Sequence, residues 1–459
     1  MSVGSVLLPI DIRKYEYLFN IVNETYNNTI SCENVVDGAC DTNWNSEYAL
    51  FYDKQPNSKP YVARLLFKRQ GKGTKKIRVG FANIRPITDG SEVAETYLNP
   101  PKNLETTNAF IKCLAVHNVY GERVRCVPFI MPESIFGMCI QASIWICLSV
   151  LENQGMIDNV PTIPEIQRLA TGRPYTDKQG LQFVQASRLL KMCRTSAFYI
   201  NNKETTLNDD MMLMQLYAYI ESKLPVIIGV DVADLKWWNT RGRHCYHSLV
   251  VIGHTMSNNK VDGFIVHDES ALPYQVMSET ELKTAWHKPE KPKKKDVNHE
   301  CVQTEPPSNA RIRELLVAVP PAVSLPFHKV YNEFYTMLNA LRVFELFIQD
   351  VDALKIRPML MPPEQLLFDT KPTAKCLFRA MSDANFPEYI WVIYFTDVNG
   401  DWSKPKGFFV RDATRRTSFV LVYMFDKGTA IYQLEEGKTY QIWDNVRTRK
   451  LIKGASKKA

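Results

Sequence analysis

Gly137-Met138-Cys139-Ile140-Gln141-Ala142-Ser143, running on into Ile144-Trp145-Ile146-Cys147-Leu148-Ser149-Val150-Leu151, is the stretch from which the fold is read. A turn-forming Pro132-Glu133-Ser134 segment precedes it. Cys139 therefore opens a helical pattern, where free backbone N–H groups and the helix dipole stabilise a thiolate. Such a position suits a nucleophile, although a buried cysteine on the core face of a helix is also an ordinary structural residue. What lies downstream decides between the two.

Helical spacing continues in 139–154, in 164–170 after Pro161 and Pro164, in 179–193 and in 209–222. Between 225 and 280 the period changes to two. PVIIGVDV, HSLVVIGH and DGFIVHDES then read as buried strands. Helices followed by strands within one stretch of chain indicate an α+β domain. We place it at 131–325, with a charged, proline-broken insertion near 288–305 that includes Lys288-Pro289-Glu290-Lys291-Pro292.

On the N-terminal side, 1–130 reads as a β-rich module with a partly irregular start. Ile12 to Val22 has helical spacing, and the Asn-rich stretch after it, ending in Asp53-Lys54-Gln55-Pro56-Asn57, reads as loop. YVARLLFKR and KKIRVGFANI form a hairpin around residues 70–74, and a second hairpin lies at 112–130 around Tyr120-Gly121-Glu122-Arg123. Gly71-Lys72-Gly73 is too short and wrongly placed for a phosphate-binding loop. On the C-terminal side, 326–459 reads as an α/β module. It has a helix over Tyr331 to Val351, a strand meander with an Asn399-Gly400 turn, and a basic tail.

The 459 residues carry 56 Lys+Arg against 49 Asp+Glu, a formal +7 that is mild for this length, so no nucleic-acid partner is expected. Ten cysteines are scattered and no CxxC pair occurs, which speaks against a structural zinc site or a disulfide framework. No cofactor motif is read. No signal peptide or membrane-spanning run is recognised either, and a cytoplasmic, reducing location is the default expectation. Oligomeric state is not legible.

Thiol hydrolysis needs a histidine near the cysteine and a polar group to orient it. His247 opens one apolar strand, and Asp268 ends another in Phe264-Ile265-Val266-His267-Asp268-Glu269-Ser270. Alternation puts Phe264, Val266 and Asp268 on one face and Ile265 and His267 on the other. Antiparallel pairing of these strands brings His247 and Asp268 to one sheet end. His244, Cys245, His247, His254 and His267 cluster in sequence, but alternation divides them between faces and no helical histidine pair exists, so no metal site is read. His254 and His267 read as surface or strand-end residues, and Cys147 as core. Trp237 and Trp238 are substrate-cleft candidates or a cover for the sheet edge.

With GMCIQASIW, Leu224-Pro225-Val226-Ile227-Ile228, YHSLVVIGH, VHDES and the helix-like Ser278 to Trp286 in this order, residues 132–287 resemble the papain-like cysteine peptidases. Within them the chain is most similar to the peptidase domains that cut double-glycine leaders in bacteriocin exporters. The resemblance implies a Cys139–His247–Asp268 triad acting on peptide or isopeptide bonds of a peptide or protein substrate. Where that family carries an oxyanion-hole glutamine, six residues before the nucleophile, this sequence has Glu133. A carboxylate there opposes developing negative charge. Gln141, Ser134 or the backbone N–H of Cys139 are the substitutes. Two alternatives keep the same core: a catalytically weak scaffold that binds a protein partner, and an acyltransferase.

Overall fold

The computed structural model describes residues 16–27, 30–36, 63–70, 76–88, 91–106, 108–119, 122–131, 138–172, 181–202, 207–232, 245–269, 272–286, 311–343, 354–370, 387–397, 400, 402, 404–415, 420–425, 429–433, 439–443 and 449–453. Two units emerge: Met1–Leu213 with Lys223–Ala318, and Met214–Ser222 with Val319–Ala459. Both are built on antiparallel sheets with helices, in keeping with the α+β class expected from sequence.

The first unit begins with α1 (Glu16–Thr25), β1 (Ile30–Val36), β2 (Ala63–Gln70), β3 (Lys76–Thr88), β4 (Ser91–Leu98), α2 (Lys102–Thr106), β5 (Ala109–Ile111), β6 (Ala115–Val119), β7 (Glu122–Cys126) and β8 (Phe129–Met131). It continues with α3 (Cys139–Asn153), α4 (Ile163–Thr171), α5 (Phe183–Met192), β9 (Ser196–Asn201) and α6 (Asp209–Glu221), within which the units divide. Then come β10 (Val226–Val232), β11 (Cys245–Ser257), β12 (Lys260–His267), β13 (Gln275–Ser278), α7 (Glu279–Trp286) and β14 (Arg311–Val319).

β1-β2-β3-β4-β8 form one sheet, and β6 and β7 a separate hairpin. Both expected hairpins are present, with Leu66 opposite Phe81 and His117 opposite Val124. β1 lies in the stretch read as loop. ISCENVV shows no clean alternation, and its strand state comes from pairing along its whole length with β2.

The sheet that carries His247 is ordered β13-β12-β11-β10-β14-β9, with β5 added against the far end of β11. Its pairings from β13 to β14 and that of β5 with β11 are antiparallel. β5 brings the boundary expected near residue 130 inside the first unit, because a strand from 109–111 completes the sheet carrying 245–267. It also explains Gly253, at which sequence reading ends the strand. The strand instead runs on to Ser257, and a Cβ at 253 would sit 2.5 Å from the Phe110 carbonyl oxygen.

Helix α3 is buried on every side from Ile140 to Leu151 and packs against β6, β8, β10, β11, α4 and α5. Its N-cap, Met138, makes no side-chain capping bond, a deficit of about 1 kcal/mol. Full burial of each of Ile144, Leu148 and Leu151 contributes about 1.5–3 kcal/mol, so packing outweighs the missing cap. The backbone donors at the helix start are thus not capped by the Met138 side chain.

The second unit holds the end of α6, α8 (Phe327–Val343) and α9 (Pro363–Thr370). Its sheet is a meander in sequence order, β15 (Leu354–Met361), β16 (Ile390–Asp397), β17 (Gly407–Asp412), β18 (Val420–Met424), β19 (Thr429–Gln433), β20 (Thr439–Trp443) and β21 (Arg449–Lys453). Its aromatic core centres on fully buried Trp391, whose Nε1–H donates to the Leu325 carbonyl at 2.8 Å beside Phe327 and Tyr219. Among the described residues no helix is long and apolar enough to cross a membrane.

Candidate active site

Cys139 is the first residue of α3 and is partly exposed, while every residue from Ile140 to Leu151 is buried. A second observation fixes the helix against the sheet. Ser143, one turn on from Cys139, and Ser248, next to His247, share a hydrogen bond of 2.9 Å between buried hydroxyls. Removing either hydroxyl strands the other, so Ser143→Ala and Ser248→Ala should each cost about 1–3 kcal/mol in urea unfolding. The double variant should cost clearly less than the sum, because neither polar group then remains.

His247 and Asp268 meet as alternation expects. Val250 pairs with His267 across β11 and β12, so Asp268, one step beyond the pair, lies diagonal to His247 on the same face. The His247 Nε2 and Asp268 Oδ1 atoms are 2.9 Å apart, and the two residues are 2% and 1% exposed. The carboxylate accepts, so Nε2 carries the proton and Nδ1 is turned to other partners.

One of those partners escaped the sequence reading. Glu269, 5% exposed, places Oε1 3.4 Å from His247 Nδ1. Cys139 Sγ, a ring nitrogen of His247 and a Glu269 carboxylate oxygen all lie within 4.8 Å of one another. The signal was present in the acid pair Asp268-Glu269, but strict alternation sends the second acid to the opposite face. β12 ends at His267 and the chain turns at Glu269, which releases the alternation and lets successive carboxylates reach one imidazole.

These neighbours set the charge of His247. Burial works against its protonated form, but the Glu269 charge and hydrogen bonds with Asp268 and Cys139 outweigh it and hold the imidazole well above its usual pKa. The arrangement is thus a partly exposed thiol beside an imidazole that is kept charged and oriented. Such a pair supports nucleophilic attack with return of a proton to a leaving group. The other thiols of this region contrast with it. Cys147 is buried, and burial pushes the thiols of Cys113, Cys126 and Cys147 up.

Of the oxyanion candidates, only Gln141 lies among the described residues; Glu133 and Ser134 fall outside them, as do Trp237 and Trp238. Gln141 is fully buried and its Nε2 donates to Gln167 Oε1 of α4 at 2.8 Å. Two positions along a helix is a rotation of about 200°, which sets Gln141 on a different face from Cys139. Among the described residues, the donors that remain at the nucleophile are the backbone N–H groups that open α3.

His254 and His267 are buried rather than surface residues, and His267 stands at the end of its strand, β12. Both are 1% exposed. β5 pairs alongside His254 and the Phe110 ring packs on it at 5.4 Å, while His267 lies against Phe129 and Tyr274 and accepts from the Tyr274 N–H at 3.3 Å. Burial takes the His267 pKa down to about 3. Phe110 and Phe129, which cover His254 and His267, come from distant stretches of chain, and Tyr274 reaches His267 only through the turn after β12.

No protein-family model matches the chain, and no curated protein matches it.

Proposed function

We propose that the protein is a papain-like thiol hydrolase that cleaves peptide or isopeptide bonds through Cys139, His247 and Asp268. The observation that carries this reading is the buried His247–Asp268 hydrogen bond, 2.9 Å long, next to a thiol at a helix start. The order of a Cys-bearing helix, a His-bearing strand and a strand ended by Asp, on one antiparallel sheet, supports it further.

In this reading the Cys139 thiolate attacks the carbonyl carbon, and the thiol proton resides on His247. The oxyanion is met by the backbone N–H of Cys139 and its neighbours at the uncapped end of α3. His247 then protonates the departing amine, leaving an acyl-enzyme thioester. Water, deprotonated by the now neutral imidazole, hydrolyses the thioester and restores the thiol. Asp268 keeps Nε2–H oriented and offsets the imidazolium charge. Glu269 strengthens that charge from the other side.

The test is hydrolysis of a panel of peptide and isopeptide substrates by the wild type and by Cys139→Ala. The wild type should cleave at least one class, with a thioester intermediate trapped by hydroxylamine. Cys139→Ala should cleave none. Hydrolysis retained in full by Cys139→Ala would end the assignment.

A further inference from the structure

Glu269 gives the thiol pocket a set of donors that hydrolysis by a Cys-His-Asp triad does not require. We infer that Cys139 Sγ, His247 Nδ1 and a Glu269 carboxylate oxygen form a three-ligand site for a divalent cation of the zinc class. The site leaves a fourth position open on the partly exposed side of the thiol.

Geometry is the first support. Ligand atoms around a tetrahedral Zn²⁺ with bonds of about 2.0–2.3 Å stand about 3.3–3.6 Å apart. His247 Nδ1 and Glu269 Oε1 are already 3.4 Å apart, and one ligand atom from each of Cys139, His247 and Glu269 lies within 4.8 Å of the other two. The two edges that run to Cys139 Sγ are at most 4.8 Å, within reach of a change in the cysteine rotamer.

Chemistry is the second support. Thiolate, imidazole and carboxylate together favour zinc over magnesium or calcium, which prefer all-oxygen shells. The thiolate and the carboxylate supply the two negative charges that match the cation. Asp268 completes the pattern, because a metal-bound histidine almost always donates its other ring N–H to a carboxylate or carbonyl, and here Nε2 already bonds Asp268 at 2.9 Å. On binding, the cation takes the sulfur and nitrogen lone pairs, and the thiol proton and any proton on Nδ1 pass to solvent.

From sequence no metal site is read, because alternation divides the histidines between the two faces of the sheet. This set avoids the objection: it uses one histidine, a helix cysteine and a turn glutamate. A cation here sits on the nucleophile, so occupancy and thiol attack exclude one another. That consequence rests on the hydrolase reading; the binding does not.

The experiment titrates the full chain, stripped with chelator and reduced, with Zn²⁺ alone by calorimetry and with Co²⁺ by absorption. Wild type, Cys139→Ser, Glu269→Gln and Asp268→Asn are compared, each checked for a cooperative melt. One Zn²⁺ per chain is expected, with a sulfur-to-cobalt charge-transfer band that disappears in Cys139→Ser. Asp268→Asn should weaken Zn²⁺ binding by about 10–100-fold, and Glu269→Gln by at least as much. Zn²⁺ should also protect Cys139 from iodoacetamide in the wild type. Absence of stoichiometric binding, or binding unchanged in folded Cys139→Ser and Glu269→Gln, would overturn the site. Zn²⁺ binding with these dependences by a chain that hydrolyses nothing would support the site and count against the hydrolase alone.

Discussion

Asp268→Asn should lower turnover by about 10²–10⁴-fold with little change in KM, measured on a substrate that the metal-free wild type cleaves. The asparagine oxygen still accepts from Nε2–H, so the local packing survives. It no longer carries the negative charge that offsets the imidazolium as the proton passes through His247. A purely structural Asp268 would show a different result: lower stability in urea with turnover per folded molecule unchanged. That outcome would remove Asp268 from the proposed triad while leaving the observed hydrogen bond to be explained by folding. Cys139→Ala, by contrast, should abolish turnover and barely move stability, because the side chain is partly exposed at a helix start.

The second large effect concerns acid. His267 is fully buried and burial takes its pKa down to about 3, against roughly 6.5 in an unfolded chain. Below that unfolded value the unfolded state binds a proton that the folded state refuses. The stability contributed by neutral His267 is therefore complete above about pH 6.5 and lost as pH falls, at about 1.4 kcal/mol per pH unit, reaching roughly 4–5 kcal/mol by pH 3. His267→Gln keeps an acceptor for the Tyr274 N–H and cannot titrate in this range. Its urea stability between pH 6 and 4 should fall less steeply than that of the wild type by about 1.4 kcal/mol per unit. Parallel slopes would show that His267 protonates in the folded state. His247 contributes with the opposite sign. Its pKa is raised, so its contribution is present below about pH 6.5 and fades as pH rises through the folded value. The wild type and His267→Gln both retain His247, so its contribution cancels in the comparison.

The elements around the site were legible wherever local pattern decides structure. The apolar run after Cys139 is a helix despite its β-branched Ile140, Ile144, Ile146 and Val150, because the sheet and two helices enclose it on all sides. His247 and Asp268 could be paired in advance because both lie where period two still holds. Glu269 could not, since the turn two residues after the strand ends breaks the alternation. Long-range pairing accounts for the remaining differences. β1 gains its strand state from β2, β9 joins the central sheet through β14, and β5 reaches from 109–111 to cover His254. None of these partners is signalled by the residues of the strand itself. The boundary expected near 130 met the same obstacle, because a three-residue strand carries little pattern of its own.

The central claim is that Cys139 and His247 act as a pair. The most direct measurement is the rate of iodoacetamide labelling at Cys139 in chelator-treated protein, followed by peptide mass spectrometry from pH 5 to 9, in wild type and His247→Ala. The account predicts fast labelling of the wild type that persists on the acid side of neutrality, and labelling at least tenfold slower there in His247→Ala. Equal rates in the two proteins across the range would contradict it, and would leave Cys139 an ordinary thiol at the start of a buried helix.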